Sequence, residues 1–588
     1  MKKIMTGNEA IARGAWEAGL HVAAAYPGTP STEILENIST YPEIYCEWAP
    51  NEKVAVEVAA GAAFAGARSM AAMKHVGLNV AADPFFTLAY TGISGGYVIN
   101  VADDPGMFSS QNEQDSRFYA SHAKVPMLEP SDSQEAHDFV KLAFEISEKY
   151  DAPVLFRVTT RVCHSKSLVE VGERVPAEVK PYAKNTPKYV MSPANARQRK
   201  VVLEQRLKEL QAFSETTELN RIESNGSKIG VITSGISYQH AQEVFGDTVD
   251  YLKLGFTFPL PPELIMNFAN AHDEIYVIEE NEPYIEGFAK QLGVDCVGRE
   301  KLPFIGELTP EIIRRAFVPA VENKGSYEVD AKAPPRPPVL CPGCTHRGFF
   351  YEIAKYKDKI ITAADIGCYT LGAVPPLGVN DSVLCMGASI SGGIGFRKAL
   401  DKAGDGRKVF AVIGDSTFFH SGITGLIDAV VNKAAIVISI LDNRITAMTG
   451  HQENPGTGRT LMGEITHQVD LEALCLACGV KKENLRIVDP YDLKATGEAV
   501  KAGYEAKEPF VIITKRPCAL IKEVMKERAK MKCAVDRAKC IGCKLCLKAG
   551  CPALMVEDGK AKIDRAMCNG CEICAQICPK KAISREDL

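Results

Sequence analysis

The chain has 588 residues, of which 46% are hydrophobic and 24% charged, and its formal net charge is −5. A single core rarely exceeds about 250–300 residues, so this length predicts several domains. Without an excess of positive charge, nothing favours nucleic acid as a partner. Apolar runs such as AAIVISIL are far shorter than the roughly 20 residues that cross a bilayer. The amino terminus lacks the apolar segment of a signal peptide, so we expect a cytoplasmic protein that is not bound to a membrane.

The first region, residues 1–185, alternates apolar strands with helices rich in alanine and glycine, as in HVAAAYPGTPSTEI and APVLFRVTTR. This alternation predicts βαβ units in a doubly wound parallel sheet. Residues 186–225 predict a helical linker, with a helix from Ala194 to about Glu223 whose charged residues face solvent. Its apolar residues recur at helical spacing, at Val202, Leu203, Leu207 and Leu210.

The rest of the chain predicts a smaller α/β domain, a second large one and a tail. Residues 226–322 open with KIGVITSGISYQHAQEVF and predict an intermediate α/β domain. The prolines of residues 323–339 predict a linker, and residues 340–522 predict a second doubly wound α/β domain. A hinge, KEVMKERAKMK, leads to a cysteine-rich tail at residues 533–588. The fold class is therefore a multidomain α/β protein with an iron–sulfur tail.

Two runs in the tail contain eight of the 19 cysteines, and the second run has the bacterial ferredoxin spacing C-x₂-C-x₂-C-x₃-C-P. In two-cluster ferredoxins the fourth cysteine of each run binds the other [4Fe–4S] cluster. We therefore expect a first cluster on Cys540, Cys543, Cys546 and Cys578. The second is expected on Cys568, Cys571, Cys574 and Cys551.

The first run departs from this spacing by one extra residue before Cys551, which Gly550 can accommodate in the loop. A zinc ribbon is the alternative for such cysteines. Two complete runs that each end in Cys-Pro favour a two-cluster, ferredoxin-like domain.

The segment KVFAVIGDSTFFHSGITGLIDAVVNKAAIVISILDNRIT predicts a strand, a turn, a helix and a second strand. Asp415 follows the first strand and Asn443 the second, so both should lie at the carboxyl edge of a parallel sheet, where ligands bind. A carboxylate and an amide oxygen suit Mg²⁺, which also takes phosphate oxygens. As isolated residues they could equally be loop caps. Upstream, CMGASISGGIGFRKAL predicts a glycine-rich turn that enters a helix, which suits a phosphate.

This arrangement resembles the thiamine-diphosphate motif, Gly-Asp-Gly followed at a distance by Asn. The resemblance implies that Asp415, Asn443 and the backbone carbonyl of Ile445 bind Mg²⁺. Ser416 stands where most members have glycine. The residues implied in cofactor binding are Gly414, Asp415, Ser416, Asn443, Gly387, Ala388, Ser389 and His420. Both His420 and His346 could instead be structural histidines.

The other half of a thiamine site holds the aminopyrimidine ring through a glutamate. EWAPNEKVAVEVAAGAAFAGAR resembles the segment that carries this glutamate, with Glu52 in the matching place. The simpler interpretation is that Asn51 caps a helix and Glu52 complements its dipole, and both roles can hold together. YPGTPSTEI resembles a motif in 2-oxoacid:ferredoxin oxidoreductases whose threonine contacts the substrate carboxylate. Thr29 is the candidate for that role, or a plain helix N-cap with Pro30 at the first helical position.

Over its whole length the chain resembles the α subunits of indolepyruvate:ferredoxin oxidoreductase, through segments that also include SSQNEQDSR, CPGCTHRG and GDSTFFHSGI. The resemblance implies that an aryl 2-oxoacid, CoA and oxidised ferredoxin give aryl-acetyl-CoA, CO₂ and reduced ferredoxin. It also implies a smaller β subunit in an α₂β₂ assembly, and no motif for the CoA site is visible. Four further cysteines resemble the ligands of a third cluster in the pyruvate-specific branch of the 2-oxoacid:ferredoxin oxidoreductases. They could instead be plain buried thiols. These residues are Cys341, Cys344, Cys368 and Cys518.

Three alternatives remain open at this point. The substrate could be another 2-oxoacid, or the protein could be a non-oxidative thiamine-dependent decarboxylase with a structural cluster domain. The third alternative is a non-catalytic electron-transfer subunit whose thiamine site has decayed. The presence of Asp415, Asn443 and Glu52 speaks against decay.

Overall fold

The computed structural model describes residues 1–318, 334 and 337–587. The chain forms two compact units, Met1–Glu328 and Val329–Leu588. Most of the linker predicted at 323–339 lies outside the described residues. Within the described ranges, the helices are too short or too polar to cross a membrane.

The first unit alternates strands and helices from its first residues onward. Its strands β1 to β13 are Lys2–Thr6, Val22–Ala25, Tyr45–Trp48, Ser69–Lys74, Tyr97–Asp103, Met127–Leu128, Val154–Thr159, Lys166–Glu170, Asn220–Glu223, Ile229–Ser234, Asp250–Leu254, Phe256–Phe258 and Glu274–Ile278. Its helices α1 to α14 are Gly7–Glu17, Thr32–Ile38, Glu52–Phe64, His75–Val80, Ala82–Thr91, Arg117–Ala123, Ser133–Tyr150, Thr160–His164, Thr186–Tyr189, Pro193–Ser214, Gly235–Phe245, Pro262–Asn270, Tyr284–Gln291 and Pro310–Phe317.

The main sheet of this unit has the strand order β12-β6-β7-β5-β4-β2-β3. Every neighbouring pair from β6 to β3 is parallel, and β4, β5 and β7 are buried along their whole length. Strands buried on both faces are typical of a parallel sheet covered by helices, so the predicted fold class is confirmed here. β12 pairs antiparallel with β6, so the segment predicted as the intermediate domain adds a strand to this sheet.

A second sheet, with the order β13-β10-β11-β9, forms the core of the intermediate region. β10 is parallel to both β11 and β13, whereas β9 is antiparallel to β11. β9 falls inside the stretch predicted as a helical linker. Buried charges join the two regions, because Arg117 bonds Asp115 and Glu279 at 2.6 Å each. Arg157 bonds Asp103 at 2.7 Å in the same network.

Helix α10 covers less of the linker than the sequence predicts, since it ends at Ser214. Leu203 and Leu210 are buried as expected, but Val202 is 41% exposed. The prediction that the charged residues all face solvent is wrong for Arg206, which is 4% exposed. Its guanidinium is stabilised in the interior because it donates to backbone carbonyl oxygens, including that of Asp151 at 2.6 Å.

The second unit contains a parallel sheet followed by the cysteine-rich tail. Its strands β14 to β23 are Ile360–Ala364, Ser382–Val383, Lys408–Gly414, Val437–Asp442, Leu485–Val488, Phe510–Lys515, Met531–Val535, Leu554–Glu557, Lys560–Ile563 and Ile583–Asp587. Its helices α15 to α22 are His346–Ile353, Ala388–Ala403, Asp415–Thr417, Ile423–Val431, Leu471–Ala477, Leu493–Glu505, Lys522–Arg528 and Ile573–Ile577.

The large sheet has the order β15-β14-β16-β17-β19-β18 and is parallel throughout, as the sequence predicts. In the tail, β20 pairs antiparallel with β23 and β21 with β22. The β20–β23 pair joins the start of the tail to its end. The tail therefore closes on itself around the cysteines.

Candidate active site and cysteine cavities

Asp415 and Asn443 lie at the carboxyl ends of adjacent strands. Asp415 is the first residue after β16 and Asn443 the first after β17, and these two strands are parallel neighbours. Their exposed fractions are 3% and 6%. The structure thus brings the two residues to one edge of the sheet, in the position that ligands take in such folds.

The surroundings of Asp415 suit a divalent cation. Burial, together with the nearby carboxylate of Asp442, raises the pKa of Asp415 to about 7. Asn454 Nδ2 donates to Asp415 Oδ2 at 2.9 Å. Because two buried carboxylates repel each other, a cation bound at Asp415 would relieve the repulsion and favour ionisation. Asn443 Oδ1 accepts the backbone N–H of Ile445 at 3.3 Å, which fixes its amide at the same edge.

A buried aspartate, Asp365, holds the glycine-rich turn. It follows β14, and its carboxylate accepts the backbone N–H groups of Gly387 and Ser389 at 2.9 Å each. Gly387 has φ of +86°, and a Cβ there would lie 2.7 Å from Ser421 Cβ. Glycine is therefore required at this position. His420, which is buried, hydrogen-bonds the Ser421 hydroxyl, so it adjoins the turn as well.

The remaining predicted cofactor residues lie on the same edge. Ala388 is the first residue of α16. Gly414 ends β16, and the next residue but one, Ser416, accepts a hydrogen bond from the Thr446 hydroxyl at 2.9 Å. The residues predicted to contact a diphosphate therefore come together in this unit. Asp365 and Asn454 were not predicted, although Asp365 follows an apolar strand as Asp415 does.

Glu52, in the first unit, is the first residue of α3 and is 4% exposed. Asn51 caps this helix, since its Oδ1 accepts the backbone N–H of Val54 at 2.9 Å. The carboxylate of Glu52 packs against Gly77 of α4, where a Cβ would lie 2.6 Å from Glu52 Cγ and 2.7 Å from Oε1. The capping role predicted for Asn51 is thus present, and the place of the Glu52 carboxylate depends on glycine at 77.

Thr29 is not a helix N-cap. The Thr29–Pro30 peptide bond is cis, and α2 begins only at Thr32, with Ser31 as its N-cap residue. The prediction of an N-cap at Thr29 is therefore wrong, because the chain turns once more before the helix starts. The backbone oxygen of Thr29 accepts the Ser109 hydroxyl at 3.3 Å.

Lys74, which the sequence analysis did not single out, brings a buried cation to the Thr29 loop. It ends β4, is 7% exposed and donates from Nζ to the backbone oxygen of Ser109 at 2.6 Å. Burial lowers its pKa to about 8, although Asp104 opposes this shift. A lysine at the end of the apolar strand SMAAMK is the signal that could have revealed it.

The tail contains two cavities lined by cysteines. The first is lined by Cys540, Cys543, Cys546 and Cys578. The second is lined by Cys551, Cys568, Cys571, Cys574 and Cys533. Both predicted sets are therefore brought together, including the exchange of the fourth cysteine between the runs. Cys533 was not predicted, because it lies outside both runs.

Backbone N–H groups point at two of these sulfurs. Ala582 donates to Cys578 Sγ at 3.3 Å, and Gly570 donates to Cys568 Sγ at 3.4 Å. Such bonds are typical of sulfurs that ligate iron in clusters. In the part of the chain that the structure describes, no group of three or more His, Cys, Asp or Glu side chains is arranged to hold a single metal ion.

The four cysteines considered for a third cluster also lie near one another. Burial, together with nearby Cys518 and Cys341, raises the pKa of Cys368 to about 11. Burial likewise raises the pKa of Cys344 to about 12, with contributions from Cys368 and Cys341. The backbone N–H of Cys518 donates to the backbone oxygen of Asn443 at 2.8 Å. This set therefore adjoins the edge that carries Asn443.

The loop that carries Cys341 and Cys344 also contacts the tail. Arg347, which is 1% exposed, donates to the backbone oxygens of Cys341 and Ala549 at 2.8 Å each. Asn569 Nδ2 donates to the backbone oxygen of Pro342 at 3.2 Å. Pro342 and Arg347 also line the second cysteine cavity. That cavity therefore lies against the loop of the third cysteine set.

Models of three protein families match the chain. They are "Pyruvate flavodoxin/ferredoxin oxidoreductase, thiamine diP-bdg" at residues 13–225, "Thiamine pyrophosphate enzyme, C-terminal TPP binding domain" at 365–514 and "4Fe-4S binding domain" at 561–584. Together with the two α/β folds and the cysteine cavities, these matches define the class. The protein is a thiamine-diphosphate-dependent oxidoreductase that carries iron–sulfur clusters.

Relatives narrow the class further. The indolepyruvate oxidoreductase subunit IorA of Methanothermobacter marburgensis is 42% identical over 610 residues, which cover 99% of this chain and 97% of that protein. The subunits of the same name from Pyrococcus horikoshii and Archaeoglobus fulgidus are 41% and 40% identical, with the same coverage of both chains. The chain therefore belongs to the IorA family, the α subunits of indolepyruvate:ferredoxin oxidoreductase.

Proposed function

We propose that this chain catalyses the oxidative decarboxylation of aryl 2-oxoacids, indolepyruvate foremost and phenylpyruvates also, with CoA as the acyl acceptor and ferredoxin as the electron acceptor. The products are aryl-acetyl-CoA, CO₂ and reduced ferredoxin. The observation that carries the proposal is the backbone hydrogen bond from Cys518 to Asn443. It places the cysteines considered for a third cluster beside the sheet edge that is predicted to bind the diphosphate. The choice of an aryl substrate rests on the names of the relatives.

In this proposal the residues of the second unit hold Mg²⁺ and the diphosphate. Asp415, the Asn443 side chain and the backbone carbonyl of Ile445 would supply the protein oxygens, a donor set that suits a hard cation. The turn at Gly387, held by Asp365, would approach the phosphates through backbone N–H groups. When bound, thiamine diphosphate supplies the carbanion that adds to the 2-oxo carbon and accepts the electrons released as CO₂ departs.

In the first unit, Glu52 would share a proton with a ring nitrogen of the aminopyrimidine. Its buried position keeps water away from that proton, which favours transfer within the site. Thr29 would contact the substrate carboxylate. The buried ammonium of Lys74, linked to Thr29 through Ser109, supports that role because it places positive charge beside the loop.

We also propose that electrons leave through three [4Fe–4S] clusters. The set of Cys341, Cys344, Cys368 and Cys518 would accept them first, because it adjoins Asn443. The cavity of Cys568 would follow, since Pro342 lines it, and the cavity of Cys540 would pass the electrons on to ferredoxin. Each cluster carries one electron at a time, which converts a two-electron reaction into single transfers to ferredoxin.

The assembly is part of the same proposal. The relatives are named as subunits, which supports a partner, and we propose a smaller β subunit in an α₂β₂ enzyme that works in the cytoplasm. CoA would enter as a second substrate. A preference for another 2-oxoacid is the second candidate, and a non-oxidative decarboxylase is the third.

Iron content tests the number of clusters. The purified holoenzyme should contain about twelve iron atoms per chain, four for each of three clusters. Replacement of Cys368 by alanine should lower this number by about four, whereas Cys385→Ala, at an exposed cysteine outside the three sets, should leave it unchanged. About eight iron atoms in both the wild type and Cys368→Ala would contradict the third cluster.

Substitution of Gly77 by alanine should slow turnover without loss of the clusters. The added methyl group would overlap the Glu52 carboxylate and displace it. A displacement of about 1 Å can cost about 100-fold in rate. The measurement is 2-oxoacid-dependent ferredoxin reduction by the holoenzyme. Gly61→Ala is the matched control on α3, because a Cβ there meets open space, and it should retain wild-type activity. Equal rates for Gly77→Ala and the wild type would refute the placement of Glu52.

A further inference from the structure

The second cysteine cavity contains one cysteine more than a [4Fe–4S] cluster binds. The first cavity is lined by four cysteines, which equals the number of thiolates that such a cluster takes. The second cavity is lined by the four cysteines assigned to its own cluster, Cys551, Cys568, Cys571 and Cys574, and by a fifth, Cys533. The structure therefore places a thiol beside this cluster site that its ligand count does not require.

Cys533 is held firmly against two of the ligand positions. It is the central residue of β20 and is 1% exposed. Its side chain lies beside the Cys568 and Cys574 side chains and lines the same cavity. Its backbone N–H donates to Cys568 Sγ at 3.3 Å. Because β20 pairs with β23 along its whole length, the strand cannot swing this thiol away without breaking the pairing.

Cys551, rather than Cys533, is the fourth ligand in our assignment. Cys551 ends its run before Pro552, as Cys578 ends the other run before a proline, so the two runs exchange their last cysteines symmetrically. Cys533 belongs to neither run. Its S–H is thus free to act as a donor, with the sulfurs of Cys568 and Cys574 as the acceptors in reach.

We propose that Cys533 donates a hydrogen bond from its thiol to the ligand sulfurs of the Cys568 cluster and thereby raises the reduction potential of that cluster. This inference rests on the proposed function, which places the cluster there. Reduction adds one negative charge to a cluster, and part of that charge resides on the ligand sulfurs. A donor to those sulfurs stabilises the reduced state, and hydrogen bonds to sulfur are among the factors that set cluster potentials. Burial strengthens the effect, because the low local dielectric screens it little.

The position of the cluster indicates which electron transfer a raised reduction potential favours. Its cavity lies between the Cys341 loop and the rest of the tail, since Pro342 lines it. A raised potential at this cluster favours electron transfer to it from the cluster proposed on Cys341, Cys344, Cys368 and Cys518. Loss of the donor should therefore slow electron arrival at ferredoxin more than it slows CO₂ release.

The test is a redox titration of the holoenzyme, followed by electron paramagnetic resonance, for the wild type, Cys533→Ala and Cys533→Ser. We expect Cys533→Ala to keep the wild-type iron content and to lower the reduction equilibrium constant of one cluster about tenfold, which is about 59 mV for one electron. Cys533→Ser should recover part of the shift, because its hydroxyl is also a donor. Val535→Ala is the control for lost packing in the same core, and its potentials should match the wild type.

Three results would overturn the inference. A loss of about four iron atoms per chain in Cys533→Ala would make Cys533 a ligand. Unchanged potentials in Cys533→Ala would show that its thiol does not tune the cluster. An equal shift in Val535→Ala would assign the effect to packing. Failure of the proposed function is distinguishable, because it would show as a wild-type protein without iron–sulfur signals.

Discussion

Replacement of Glu52 by glutamine is expected to lower turnover about 10²–10⁴-fold, the range that a positioned proton-transfer group contributes. Glutamine keeps the shape of the side chain and its packing against Gly77, but it cannot accept the proton of the aminopyrimidine. The rate is measured as 2-oxoacid-dependent ferredoxin reduction under anaerobic conditions. Thiamine diphosphate should still bind, because the diphosphate residues lie in the second unit.

Glu57→Gln is the matched control for this substitution. Glu57 lies five residues further along the same helix, but it is exposed and pairs only with Lys53 among the described ion pairs. Exposed pairs of this kind contribute little, so its loss should leave both the rate and the stability near the wild-type values. A Glu52→Gln enzyme that turns over at the wild-type rate would show that Glu52 takes no part in the reaction.

Replacement of Asp415 by asparagine is expected to weaken Mg²⁺ binding by more than about 100-fold, since even residues that only support metal ligands contribute 10–100-fold. The amide is nearly the same size as the carboxylate, but it carries no negative charge. Thiamine diphosphate should be lost with the metal, because in the proposed site its phosphates would complete the coordination. The measurement is a titration of the apoprotein with Mg²⁺ at fixed thiamine diphosphate, with bound cofactor as the readout.

The stability of the apoprotein separates a ligand role from a structural one. Burial and Asp442 raise the pKa of Asp415, so the ionised carboxylate is disfavoured in the folded apoprotein. A group whose folded pKa is raised in this way opposes folding increasingly as the pH rises above its ordinary pKa, and the full cost is reached once the pH exceeds the raised pKa. Asp415→Asn should therefore melt no earlier than the wild type above pH 7, while Mg²⁺ affinity falls. Asp428→Asn, at an exposed aspartate on α18, should change neither property. An early-melting Asp415→Asn apoprotein with unchanged Mg²⁺ affinity would contradict the assignment.

The sequence predicts best those features that depend on local spacing. Asp415 and Asn443 follow apolar strands, so a parallel sheet brings them to one edge without further information. The cysteine runs fix their own geometry through short turns, and the two cavities contain the predicted sets. Glu52 was found through a resemblance; the structure shows that it is buried, and its role stays a prediction.

Contacts between distant segments could not be predicted in this way. Asn454 and Cys533 reach their partners from outside any motif, and no periodicity marks them. Because Arg206 is charged and lies in a polar helix, the sequence predicts that it is exposed to solvent. It is buried instead, and its guanidinium donates hydrogen bonds to backbone carbonyls that are distant in sequence. β12 joins the sheet of a region that ends some 70 residues earlier, because strand pairing follows tertiary packing rather than order along the chain.

The most direct test of the account is an anaerobic assay of the complete enzyme with thiamine diphosphate, Mg²⁺, CoA and ferredoxin, against indolepyruvate, phenylpyruvate, pyruvate and 2-oxoglutarate. Ferredoxin reduction and CO₂ release are measured in parallel. We expect the fastest reduction with indolepyruvate, one acyl-CoA formed per CO₂, and two electrons delivered to ferredoxin for each turnover. Release of CO₂ with an aldehyde product and no reduction of ferredoxin would contradict the proposed reaction.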